Sequence, residues 1–255
     1  MDSSFAQIDS WMVAMVLAAA MLGGWALGWW IGRRHPADPD EKSSSRFVDG
    51  SMALFGLLLG FTFAMALSKH DQRRIMIIAD SNSIGDFYTC ASLLKDPQRT
   101  PLQDTIREYV DIRVNFVRGH QDRATIEKAI LDSEKLHQRM TNLVAEAVNA
   151  GTPVTLALVN TLNNLTSNHA SVLAAMHDRL PLAVLLLLFS AAVISTILVG
   201  RHHGETQKLH IAGSICYVLL TALAVYLILD LNRPFRGLIT VSNEPLERLA
   251  ASIAK

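Results

Sequence analysis

Four stretches of this chain hold no Asp, Glu, Lys or Arg: 11–32, 50–68, 181–200 and 211–229. Each approaches the roughly 20 apolar residues that a helix needs to cross a hydrocarbon layer about 30 Å thick. Lipid offers no hydrogen-bond partners to the backbone, so runs of this kind predict helices that satisfy their own amides. The 23 basic and 23 acidic side chains are crowded into the rest of the 255 residues. That partition excludes an ordinary soluble enzyme. The zero net charge also excludes nucleic acid as a partner, because no basic excess is available to neutralise phosphates.

The first stretch lacks the basic n-region of a signal peptide, carrying Asp2 and Asp9 ahead of it instead, and so reads as a retained span. Trp25, Trp29 and Trp30 gather towards its end, where indole rings favour the headgroup boundary. Spans three and four are joined by RHHGETQKLH and must form an antiparallel hairpin. The expected fold is all-α, with four transmembrane helices and a helical extramembrane bundle inserted between the second and third. The expected division is 1–68 for the first pair of spans, 69–180 for the helical region, 181–232 for the hairpin and 233–255 for a tail.

Small residues recur every fourth position in the first span, at Ala20, Gly24, Gly28 and Gly32. The second repeats the device at Gly56, Gly60 and Ala64. Both ridges allow backbones to approach closely, either within one subunit or between subunits.

The segment 69–180 carries 13 basic and 13 acidic residues and no strand alternation. Ile75, Ile78, Phe87, Ala91 and Leu94 continue a helical stripe beyond span two, predicting one long helix that ends at Asp96-Pro97. A second helix starts at Pro101 with Leu102, Ile106, Val110, Val114 and Val117 on one face. A third uses Ile126, Ile130, Met140, Val144 and Val148. From Ala147 to His177 no residue is charged, yet Asn160, Asn163, Asn164, Ser167 and Asn168 make the run too polar for lipid. Leu158, Leu162, Leu165, His169, Val172 and Met176 alternate by four and three, a coiled-coil seam. The neutral, wettable face with Asn160, Asn164 and Asn168 is a candidate pore lining, or a face that meets neighbouring helices.

No P-loop, nucleophile elbow, HExxH, CxxC or dinucleotide glycine motif occurs, and the two cysteines make no disulfide framework. The expectation is a protein without catalytic activity, cofactor or metal.

Three segments carry a resemblance: LLLGFTFAMALSKHDQRR, then DSNSIGDFYTCASLLKDPQRTPLQDTIREYVDIR, and last DLNRPFRGLITVS. In this order they resemble the bestrophin-like family of membrane proteins, widespread in bacteria, over roughly 50–250. Asp80, Asn82, Ile84 and Gly85 fall on that family's Glu-Ala-Asn-Ala-Ile-Gly motif, with Asp in place of Glu. Asp230, Arg233 and Pro234 match its Asp-Leu-Asp-Arg-Pro, with Asn232 at the second acid. Through the distant bestrophins, the resemblance implies a homo-oligomeric channel for small inorganic ions, anions above all. It would lie in the bilayer of the cell membrane, as a multi-pass protein of the bacterial inner membrane. The second span would line the pore, and Phe55, Phe61 and Phe63 would form an apolar neck by analogy.

Arg73, Arg74 and Asp80 lie beyond span two, and Asp230, Arg233 and Arg236 flank the end of span four. In an oligomer such residues become charged rings at a pore mouth; in one subunit they are interfacial anchors and salt bridges. A clamp between Asp230 and Arg73 or Arg74 is the specific expectation. Basic residues divide almost evenly between the two sides of the spans, so charge bias leaves the orientation open. The competing reading of the whole is a membrane-anchored helical sensor or scaffold.

Overall fold

The computed structural model describes residues 9–34, 43–118, 123–207, 211–233 and 237–254. Every regular element among them is a helix: α1 (Ser10–Arg34), α2 (Ser43–Ser92), α3 (Arg99–Arg118), α4 (Arg123–Asn149), α5 (Thr155–His177), α6 (Leu182–Thr206), α7 (Ile211–Leu231) and α8 (Glu244–Ile253). The chain divides into two compact units, 1–70 with 179–240, and 71–178 with 241–255. The long helix α2 passes from one to the other without a break. Four of the helices are long and apolar enough to cross a membrane, and this is a membrane protein.

In the first unit α1 packs along α6 and, to a lesser extent, along α7. Leu17, Met21, Phe55, Ala66, Leu188, Ala192, Val218, Val225 and Ile228 form its interior. The guanidinium groups of Arg33 and Arg34 lie over the rings of Trp29 and Trp30, at 4.8 Å and 3.5 Å from the centroids. Cation–π contact there suits a helix end at a polar boundary.

The second unit is a helical bundle around Ile84, Phe87, Leu102, Ile106, Val110, Met140, Val144, Leu158 and Leu165. Of the predicted stripes, Leu102, Ile106, Val110 and Val114 on α3 are buried, the Val117 side chain lying outside the described residues, and on α5 Leu158, Leu162, Leu165, Val172 and Met176 are buried and His169 half-buried. The amphipathic α8 completes this unit. Leu246 and Ile253 are buried, Ser81 Oγ donates to the Pro245 carbonyl, and Arg107 Nε donates to the Ile253 carbonyl at 2.8 Å.

One boundary is as expected and one differs. The uncharged run 147–177 falls on two helices, as the third stripe through Val148 implies: Ala147 belongs to α4, and Gly151, at φ 74°, lies between α4 and α5. A left-handed glycine is the ordinary way for a helix to stop. Helix α6, by contrast, runs on to Thr206, into the segment read as a connecting turn. Arg201 Nε donating to Glu205 Oε1 one helical turn later at 2.6 Å is consistent with that extension.

Candidate functional site

The two small-residue ridges, alike in sequence, have opposite surroundings. Gly24, Gly28 and Gly32 are buried on α1. A Cβ on Gly28 would lie 2.1 Å from the Ile197 carbonyl oxygen, and one on Gly32 would lie 2.2 Å from the Arg201 carbonyl oxygen. The opposing helix reciprocates: a Cβ on Gly200 would lie 2.1 Å from the Trp25 carbonyl oxygen, and one on Gly204 would lie 2.4 Å from that of Trp29. The first ridge is therefore consumed inside the subunit, glycine face against glycine face.

On α2, Gly56 and Gly60 have nothing within 4 Å of where a Cβ would be, and Ala64 is exposed. The same helix buries Phe55, Thr62 and Ala66 on its other side. Of the neck candidates, Phe55 is only 3 % exposed and meets the Tyr217 ring edge-on at 6.3 Å. Phe61 and Phe63 are 65 % and 38 % exposed, beside exposed Leu54 and Leu57. The α2 face with Gly56, Gly60, Phe61, Phe63 and Ala64 is an uncovered apolar surface built from the closest-packing residue types.

Farther along α2, Asp80 occupies a position on the buried stripe of Ile77, Ile84 and Phe87 and is 1 % exposed. Its Oδ2 accepts from Arg113 Nη2 at 2.6 Å, while Oδ1 is buried with no hydrogen-bond partner among the described residues. Arg113 Nη1 donates to the Tyr109 hydroxyl at 2.9 Å and lies 2.9 Å from His169 Nδ1. The Tyr109 hydroxyl is 3.1 Å from that same nitrogen. Two donors converge on Nδ1, so it is the acceptor nitrogen and the imidazole proton sits on Nε2. His137 stacks at a tilt on His169 with 5.7 Å between centroids. Its Nε2 is 2.9 Å from Thr166 Oγ1, a hydroxyl that itself donates to the Leu162 carbonyl.

Burial pushes the Asp80 carboxyl above the usual carboxylate range, against the pull of Arg113. Burial also raises the Tyr109 phenol to about 12. His169 is lowered to about 4 by burial and then by Arg113 and His137. His137 is lowered by burial and by Arg113.

The other predicted residues fall as follows. Arg73 is 1 % exposed, and its Nε and Nη2 donate to the carbonyls of Ala175 and Asp178 at the end of α5, where a cation is favourable. Arg74 and Asn82 are exposed. Gly85 lets α8 approach: a Cβ there would lie 3.3 Å from Leu249 Cδ1. Asp230 Oδ2 accepts from the amides of Leu238 and Ile239, both at 2.9 Å, and Gly237 at φ 133° presses against the carboxylate. Asn232 Oδ1 accepts from the Leu180 amide at 2.8 Å, and Arg233 lies 4.0 Å from Asp9. The closing motif thus ties a turn to the end of α7. Arg236 lies outside the described residues. Asn160 and Asn164 are exposed, whereas Asn168 donates to the Ala79 carbonyl.

The pairing of Asp80 with Arg113, and the grouping of Tyr109, His169 and His137 beyond it, were not foreseen from the sequence. The available signal was a carboxylate on an apolar stripe. An acid at such a position must find a cation, and Arg113, one turn after Tyr109 on the buried face of α3, is the one that answers.

This architecture defines an all-helical membrane protein, with four helices long and apolar enough to cross a bilayer. The Bestrophin-like domain model matches residues 14–246, and the chain belongs to that family. Among solved structures it is similar to a mutant of a bacterial bestrophin homologue from Klebsiella pneumoniae. The TM-score is 0.53 and the identity 13 %, with 94 % of each chain covered, a likeness of fold. No curated protein matches the chain.

Proposed function

We propose that the protein is a homo-oligomeric pore for small inorganic ions, anions foremost, set in the cell membrane of a bacterium and lined by α2. The observation that carries this reading is the open ridge of Gly56, Gly60 and Ala64, continuous with exposed Phe61 and Phe63. Small residues on a spanning helix favour close helix contact, and α1 uses its own ridge in that way within the subunit. The α2 ridge has no such complement among the described residues. A further copy of the chain supplies one in a closed ring, as rotational symmetry requires. Phe61 and Phe63 flank the ridge on opposite sides, and the one turned to the ring axis then forms an apolar constriction, which gates ions by dewetting. Membership of the Bestrophin-like family supports a channel over a sensor, and nothing in the reading requires a cofactor, a metal or catalysis.

The test has two stages. Mass measurement of the detergent-solubilised protein is expected to give a ring of four or more subunits. Proteoliposomes are then expected to pass chloride faster than protein-free vesicles. A monomer, or vesicles as tight to anions and cations as protein-free ones, overturns the proposal.

A further inference from the structure

The buried polar cluster of the second unit has no part in the pore reading, and its geometry has a chemical consequence of its own. His169 Nδ1 faces the Arg113 guanidinium at 2.9 Å and the Tyr109 hydroxyl at 3.1 Å. That nitrogen is an acceptor only while it is unprotonated. A proton there would remove the acceptor of two hydrogen bonds and place an imidazolium against a guanidinium. Arg113 cannot relieve the conflict by deprotonating. Nor is it free to withdraw, since Nη2 is held by the buried carboxylate of Asp80 at 2.6 Å.

We propose that His169, with His137 stacked on it, is a proton-binding site that releases α5 from α3 when the surroundings turn acid. The groups facing the pair are Asp80 from α2, Tyr109 and Arg113 from α3, His137 from α4, and Thr166 beside His169 on α5. The Asp80–Arg113 pair joins α2 to α3 and stays in place, whereas the α5 contact depends on a neutral ring.

The sign follows from linkage. In the closed bundle His169 titrates at about 4, and a solvated imidazole titrates near 6.5. Between those values the open form holds a proton that the closed form does not, so opening becomes easier as pH falls through this window. His137, also lowered, acts in the same direction. Asp80, raised, acts in the opposite one, because its proton is held better in the closed bundle. The imidazoles carry the release on acidification, and Asp80, whose pairing with Arg113 persists, tempers it. The proposal is independent of ion conduction and survives or fails without it.

Amide hydrogen exchange on the full chain in detergent micelles, corrected for the intrinsic rate at each pH, reads the opening directly. Protection of the α5 amides around 162–172 is expected to fall by more than about 10-fold between pH 7 and pH 4.5. In the variant His137→Gln/His169→Gln, which keeps polar side chains but cannot titrate, protection is expected to change by less than about 3-fold. Equal loss in that variant and in the parent overturns the proposal, and so does unchanged protection in the parent. Should the variant fail to fold, imidazole nitrogen resonances of the parent decide. A neutral ring protonated on Nε2 and titrating well below 6.5 is expected; an ordinary titration near 6.5 overturns the assignment.

Discussion

The ridges of α1 and α2 are built alike, with small residues four apart on an apolar helix, yet one is closed and the other open. On α1, Gly28 and Gly32 touch backbone, and the opposing helix answers with Gly200 and Gly204 at the same spacing. On α2, a Cβ on Gly56 or Gly60 would meet nothing within 4 Å among the described residues. A small-residue ridge therefore states only that a close neighbour is wanted. Whether that neighbour lies in the same chain depends on a second ridge elsewhere.

Filling one groove of each kind separates the two ridges most clearly. Gly28→Val places a branched side chain where a single Cβ would already lie 2.1 Å from the Ile197 carbonyl oxygen. No rotamer relieves a clash with backbone, so α1 and α6 must part. The expected outcome is loss of folded protein, read as disappearance of the monodisperse peak in size-exclusion chromatography. A well-folded Gly28→Val protein would mean that the two glycine faces do not meet as described.

Phe55→Ala comes next in size. This side chain is 3 % exposed and packs on Tyr217, so its removal leaves a cavity. Large-to-small changes at buried phenylalanines cost about 3–5 kcal/mol in water-soluble cores. The lower end is expected here, because lipid cancels much of the transfer share while the lost packing remains. Phe61→Ala, at a 65 % exposed position, is expected to leave the thermal midpoint of the subunit within about 2 °C, a stability change well under 1 kcal/mol. Thermal unfolding in detergent separates the two; comparable destabilisation would erase the distinction between the closed and open sides of α2.

Gly60→Val is the counterpart of Gly28→Val. With nothing within 4 Å of the new Cβ, the subunit is expected to fold with stability changed by less than about 1 kcal/mol. Its effect belongs to assembly: a smaller particle by mass measurement, and chloride flux reduced with it. An intact, fully conducting ring would show that the open ridge faces lipid.

The four spans, the unbroken α2 and the buried stripes of α3 and α5 were legible in the sequence, because each is a periodic apolar pattern of sufficient length. The partner of the α1 ridge was not. Gly204 lies among Arg201, His202, His203 and Glu205, and charge there reads as a turn although the helix continues through it. The polar cluster was half legible. Asp80 was marked by its place beyond span two and by the family motif, but its partners come from α3, and the imidazoles beyond them from α4 and α5. Periodicity within one helix carries no information about which face of another it meets. The same limit applied to the charged residues beyond the spans, since Arg73 and Asp230 are both 1 % exposed and hold backbone groups.

The smallest expected effect is the most discriminating for the open ridge. Gly56→Ala adds one methyl group at an exposed helical position with open space around it. Alanine is favoured over glycine inside a helix by about 1 kcal/mol, so the isolated subunit is expected to gain slightly in stability. In a ring where α2 helices meet along this ridge, the same methyl group enters a contact that glycine had shortened, and subunit affinity is expected to fall. The two effects have opposite signs and separate readouts, thermal midpoint for one and the dilution-dependent particle mass for the other. A gain in midpoint with unchanged association would place Gly56 outside the subunit contact and leave Gly60 and Ala64 as the part of the ridge that meets a neighbour.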